Sequence, residues 1–232
     1  RLILVSLLAF LGISPVKLHP RVFNGHEILA ADVAGYYLQE KEQLFMPTQT
    51  IIEGQEFCLE LEQTKATLSP CESERVGTFW VSPESWQVQE GFFADLNRDN
   101  QMEAVLLVRR PFSPWPIDSF VPNGGRISEF QDLSGYSCHV ILLGWRDGQF
   151  KEVWAGSAMA DPIRQLHAID LDGDGSQELA ALEYAYDENE NMANLVSWKW
   201  NGFGFSLSDR LVGSFSQLQV FTSQHNAWLV TD

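Results

Sequence analysis

Residues 166–182, LHAIDLDGDGSQELAAL, decide how the rest of the chain is read. Apolar runs flank an acidic centre, so two short buried strands are expected on either side of a tight polar loop. Within DLDGDGSQE the carboxylates of Asp170, Asp172 and Asp174 fall at alternate positions, Gly175 permits a sharp turn, and Glu178 opens the second apolar run. Such a loop folds its carboxylates inward around one hard cation, with a backbone carbonyl near Ser176 as a further ligand. Calcium suits this donor set best. Its oxygen shell at about 2.3–2.6 Å tolerates a flexible cage, whereas magnesium demands tighter octahedral geometry and zinc prefers nitrogen or sulfur. The alternative is an acidic surface turn.

Residues 92–108, FFADLNRDNQMEAVLLV, repeat the pattern with Asp95 aligned on Asp170. Asp95, Asn97, Asp99, Gln101 and Glu103 keep the offsets of the other loop, but Asn97 replaces a charged ligand and Arg98 adds a positive charge. Asn100 must take the turn that glycine takes in the other copy, which asparagine tolerates better than most residues. A lower calcium affinity is expected there, the alternative being a loop held by hydrogen bonds alone. Each motif is preceded by a tryptophan-bearing strand, 78–81 and 152–155, and followed by a hairpin. The first hairpin runs from 140–145 through Arg146, Asp147 and Gly148 into 149–154; the second runs from 195–200 through Asn201 and Gly202 into 203–207. Asp-Gly and Asn-Gly between apolar runs are strong hairpin signals because both accept positive φ. The internal repeat is therefore one of whole strand units.

Both segments resemble the FG-GAP or VCBS-type repeat, in which aDlDgDGxxElvv joins two strands of a β-propeller blade. The resemblance covers roughly residues 76–213. It implies an all-β fold of propeller-like, antiparallel four-stranded blades with calcium in the inter-strand loops. Two repeats are fewer than a closed propeller usually needs, so a partial propeller, a compact β repeat domain and a piece of a longer protein all stay open. The expected organisation is a signal peptide or anchor remnant at 1–16, a less regular region with short strands at 17–75, and the β repeat domain at 76–232. Residues 214–232 offer a closing strand.

The first unit also carries an insertion at 109–130, whose prolines exclude regular structure and which displays Phe112, Trp115, Phe120 and Arg126. It is either a function-bearing loop or a flap over an edge. The acidic run Asp187, Glu188 and Glu190 is read as a solvated hairpin connection.

The bulk composition is 45% hydrophobic and 12% aromatic, with eight tryptophans, which argues for a packed globular body. Thirty-one acidic against fifteen basic residues give a formal charge of −16, which repels nucleic acid and anionic membranes. The apolar run at 2–13 suits a secretory signal and falls short of the ~20 residues that span a bilayer. Export to an extracellular, periplasmic or cell-surface location is expected, with membrane contact only through an uncleaved N-terminal anchor. Cys58 and Cys71 either close a small loop, leaving Cys138 odd, or all three thiols are reduced.

Catalytic signatures are absent from the sequence. His19, His26, His139, His167 and His225 form no HExxH or paired spacing, and GYSCH around Ser137 lacks the second glycine of a nucleophile elbow. Cys138 and His139 are expected on opposite faces of a strand. Carboxylate pairs for glycoside hydrolysis are defined by distance in space and leave no sequence mark. The sequence therefore reads as an exported calcium-binding module, structural or interacting with a protein or carbohydrate, without catalysis. The alternative is an extracellular propeller-type polysaccharide hydrolase or lyase.

Overall fold

The computed structural model describes residues 19–23, 28–30, 42–72, 77–113, 129–186, 193–223 and 226–231. The apolar run at 2–13, the insertion residues Trp115, Phe120 and Arg126, the acidic residues Asp187, Glu188 and Glu190, and His26 and His225 lie outside the described residues.

The described chain is all β and folds into four antiparallel sheets. Strands β1 (His19–Phe23), β2 (Ile28–Ala30) and β3 (Glu42–Gln43) come first in the chain and belong to the last sheet. Next, β4 (Gln49–Ile52), β5 (Gln55–Glu62), β6 (Lys65–Pro70) and β7 (Trp80–Val81) form a four-stranded meander, the first sheet. The second sheet joins β8 (Gln87–Ala94), β9 (Glu103–Pro111), β10 (Tyr136–Arg146) and β11 (Gln149–Ala155) in the same order. The third repeats it with β12 (Ile163–Ile169), β13 (Glu178–Glu183), β14 (Ala193–Trp200) and β15 (Phe205–Phe215). Finally β16 (Leu218–Ser223) and β17 (Asn226–Thr231) join the N-terminal strands in a five-stranded sheet of order β2-β1-β17-β16-β3.

Burial explains the two apolar runs that flank the acidic loops. In β9, Ala104, Leu106 and Val108 pack toward Phe57 and Leu59 of the first sheet, while Val105 and Leu107 pack toward Leu166 and Leu179 of the third. Such a strand is apolar on both faces, which is why it reads as an unbroken run. β13 behaves likewise: Leu179 and Ala181 face the second sheet, and Ala180 and Leu182 face Val220 and Leu229 of the last. Three cores thus lie between successive sheets.

The Asp147–Gly148 hairpin forms as expected, with both residues at positive φ (52° and 75°) and Arg146 paired to Gln149. The Asn201–Gly202 turn is wider than expected. The Asn201 side chain accepts N–H bonds from Phe203 (3.0 Å) and Gly204 (2.9 Å), so β15 starts at Phe205 and Phe203 is left 90% exposed.

The N-terminal region is more regular than its sequence suggests. Residues 49–70, expected to hold a few short strands in a less regular region, make three consecutive strands, and the first sheet continues past residue 75 because β7 pairs with β6. Phe57 and Leu59 of β5 and Ala66 and Leu68 of β6 are the buried positions of two half-polar strands. Their alternation is short and diluted by glutamate and threonine, which hides it. A disulfide joins Cys58 to Cys71, and Cys138 is a buried free thiol.

Candidate metal centre

Both acidic loops connect the first and second strands of their sheets, 95–102 between β8 and β9 and 170–177 between β12 and β13. Glu103 pairs in register with Ala94, and Glu178 with Ile169. The final carboxylate of each motif is therefore the first residue of a buried strand, and both glutamates are 0% exposed.

The loops share a hydrogen-bonding scheme that differs at one amide. In the later loop Asp170 accepts N–H bonds from Gly173 (2.7 Å) and Gly175 (2.9 Å), Asp172 accepts from Asp174 (3.1 Å), and Asp174 from Ser176 (2.8 Å). In the earlier loop Asp95 accepts from Asp99 (3.2 Å) and Asn100 (2.9 Å), Asn97 from Asp99 (2.9 Å), and Asp99 from Gln101 (2.9 Å). Side chains that satisfy successive backbone amides in this way curl a loop around its own carboxylates. Gly173 and Gly175 sit at φ of 77° and 86°; Arg98 and Asn100 occupy the same places at 66° and 62°. Asn100 was anticipated there from the sequence. Arg98 was not, although a β-carbon at positive φ carries strain that glycine avoids.

Oxygens of Asp170, Asp172 and Asp174 lie within 4.8 Å of one another. A cation of the protein itself reaches this cluster. Lys199, from β14, places Nζ 2.6 Å from Asp172 Oδ2, 3.0 Å from Asp174 Oδ2 and 3.5 Å from Glu178 Oε1. Arg98 of the other loop comes within 3.3 Å of Glu178 Oε1. The hydrogen bond from Lys199 pulls the Asp174 carboxyl down to about 2, and Asp172 and Asp174 hold Lys199 above its ordinary range. Burial acts the other way on Glu178 and raises its pKa.

The earlier loop has its own cation. Arg146 from β10 donates to Asp99 Oδ2 (3.0 Å) and Gln101 Oε1 (2.8 Å), so the Gln101 side chain is engaged by arginine. Asn97 donates through Nδ2 to Glu103 Oε1 (2.8 Å). The other oxygen, Oε2, is buried without a hydrogen-bond partner among the described residues. Burial first, then Asp99 and Asp95, push Glu103 up to about 8. A hydrogen bond to the Gln177 side chain ties the loops together: Asp95 N–H donates to Gln177 Oε1 (3.1 Å).

These donors are all hard oxygens. The residues fit a hard divalent cation, and the orphaned, buried oxygen of Glu103 is the kind of group such an ion satisfies. Asp170, Asp172, Asp174 and Glu178 would hold it in one loop, and Asp95, Asn97, Asp99 and Glu103 in the other. No protein-family model and no curated protein matches the chain.

Proposed function

We propose that this chain is an exported calcium-binding β-repeat module with a structural or interaction role, its sheets being propeller-like blades. The observation that carries the reading is the pair of loops at equivalent strand junctions, the later of which gathers oxygens of Asp170, Asp172 and Asp174 within 4.8 Å of one another, each loop already answered by a cationic side chain of the protein. An ion that replaces those side chains would brace the β8–β9 and β12–β13 junctions. By mass action an ion held only by the folded state adds about 2.7 kcal/mol of stability at a concentration one hundred times its dissociation constant. The blade reading is supported by the succession of three four-stranded meanders and by the pairing of β1 with β17, which brings N-terminal and C-terminal strands into one further sheet. A protein or carbohydrate is the proposed partner, and export is inferred from the apolar run at 2–13.

The hydrolytic alternative gains one observation: His139, Asp161 and Glu183 line a common cavity. All three are already engaged. Arg210 binds Glu183 (2.6 Å) and Asp161 (3.2 Å) through one nitrogen, and His139 meets Ser137 Oγ (2.7 Å) and the Gly156 carbonyl (2.9 Å) with its two ring nitrogens. Ser137 is fully buried, and its hydroxyl also meets the Arg110 carbonyl (3.4 Å). A binding role is therefore preferred.

Calorimetric titration of calcium into chelator-treated protein, with the melting temperature followed in parallel, tests the metal reading. Two binding events and a rise in melting temperature are expected. Asp172→Ala should remove more of that rise than Asn97→Ala, because it deletes a charged ligand from the more acidic loop. Absence of binding reduces both loops to acidic turns.

A further inference from the structure

The second and third sheets face each other across a cavity of about 840 Å³, and none of the loop carboxylates lines it. Strand alternation settles which side chains share that space. In β13, Glu183 follows Leu179 and Ala181 onto the face that packs toward the second sheet. In β15, Arg210 stands opposite Val196 and Phe205 opposite Trp200, on the same face. Trp198 lies between those two positions on β14, and Met159 meets it from the side of the second sheet. Four residues of β14 separate the two pairs, roughly 13 Å at the usual rise of ~3.3 Å per residue.

One end of the cavity is polar. Arg210 Nη2 bridges Glu183 Oε2 (2.6 Å) and Asp161 Oδ2 (3.2 Å), so its other donors and the second oxygen of each carboxylate remain for a ligand. Glu183 is 1% exposed, and burial pushes its carboxyl up to about 7, with Arg210 and, more weakly, the indole N–H of Trp198 drawing it back. That N–H is itself buried and has no acceptor at hydrogen-bonding distance and angle among the described residues. The donor thus acts on the carboxyl without bonding to it, and both groups line the cavity.

An indole N–H only donates and a carboxylate only accepts, whereas one hydroxyl oxygen does both. A hydroxyl between Trp198 and Glu183 therefore satisfies a donor that is costly to leave unpaired in a dry site. Charge points to a neutral ligand. With Glu183 protonated, as it is below about pH 7, one guanidinium faces one carboxylate and the cluster is balanced. The other end is aromatic: Phe205 packs against Trp154 (5.1 Å) and Trp200 (5.2 Å), and Phe203 stands 90% exposed at the lip. Several hydroxyls beside apolar ring faces, without formal charge, describe a sugar.

We propose that this cavity binds a neutral disaccharide unit, its hydroxyls held by Trp198, Glu183, Asp161 and Arg210 and a ring face laid against Phe205 and Phe203. The volume suits such a molecule, since small-ligand sites run from about 300 to 1,000 Å³ and combine apolar walls with a few placed polar groups. The site gives the carbohydrate partner named above a place and so rests on the interaction role, but it shares no residue with the calcium loops.

The test titrates the full chain with maltose, cellobiose and lactose, in chelator and again in calcium, followed by tryptophan fluorescence and calorimetry. Hexan-1-ol, with one hydroxyl, and glucuronate, with a charge, serve as controls. Saturable binding of at least one disaccharide is expected, in chelator as in calcium, at least about tenfold tighter than either control. Trp198→Phe keeps an aromatic ring and loses only the donor, and should weaken that disaccharide about fivefold; Asp161→Ala, which removes an acceptor and releases Arg210, should weaken it at least as much. Far-UV circular dichroism and the melting temperature establish that each variant is folded; should Trp198→Phe unfold, Asp161→Ala decides. No saturable binding of any of the three disaccharides, equal binding of a control, or an affinity indifferent to both variants overturns the proposal. Disaccharide binding without calcium binding removes the metal reading and leaves this site, and calcium binding without disaccharide binding does the reverse.

Discussion

Lys199 concentrates the chemistry of the later loop in one side chain. Its ammonium contacts three carboxylates that would otherwise repel one another, so it stabilises the loop in the absence of an ion. The same contacts oppose calcium, which must displace or share them. Lys199→Met is therefore expected to have opposite effects in the two states: a lower melting temperature in chelator, and calcium affinity raised by about tenfold through loss of a competing positive charge. Paired thermal melts and calorimetric titrations measure both. An unchanged calcium affinity would show that Lys199 does not share the ion's position. Neither Lys199 nor Arg98 announces this role in the sequence. Lys199 sits within VSWKW, which reads only as a strand, and its approach to Asp172 depends on the adjacency of β13 and β14. The carboxylates were legible because their spacing is local, whereas the cations come from neighbouring strands and from the other loop.

Pairing between elements brings titratable groups into the core. Glu90 of β8 accepts the Leu166 N–H of β12 at 2.8 Å and so joins the second sheet to the third. Burial raises its pKa from 4.5 to about 7, against the opposing pull of that hydrogen bond, and Glu183 is likewise raised to about 7. The folded chain thus holds these protons more tightly than the unfolded chain does. The contribution to stability is fully present below about pH 4.5 and is lost as pH rises through about 7. Denaturant midpoints are expected to fall between pH 5 and pH 8. Glu90→Gln, which keeps an acceptor for Leu166, should flatten that decline; an unaltered slope would remove Glu90 as a cause. At this scale much was readable in advance. The Asp147–Gly148 hairpin and the strands around both acidic loops follow from turn chemistry and from apolar runs buried on two faces. The first sheet was not, because its half-exposed strands carry glutamate and threonine outward and the apolar alternation of Phe57 with Leu59 is too brief to stand out.

The last sheet depends on contacts far apart in sequence, which local patterns do not record. The sequence offered a closing strand at 214–232, and the structure places β17 there, between β16 and β1. Leu229 is 0% exposed, pairs with Val220 on one side and Arg21 on the other, and packs in the core shared with the third sheet. Truncating a leucine in such a site costs about 2–5 kcal/mol. Its effect should also be directional: with β17 loosened, β1 loses its partner toward the rest of the chain, since its other neighbour is only the short β2. Leu68→Ala, in the core between the first and second sheets, removes the same atoms without touching that pairing. Hydrogen exchange under native conditions separates the two cases. Leu229→Ala should strip protection from His19–Phe23 before it affects β9, and Leu68→Ala should leave His19–Phe23 protected at equal loss of global stability. Equal exchange of His19–Phe23 in both variants would mean that the N-terminal strand opens only with the whole fold, and that the four sheets form one cooperative unit.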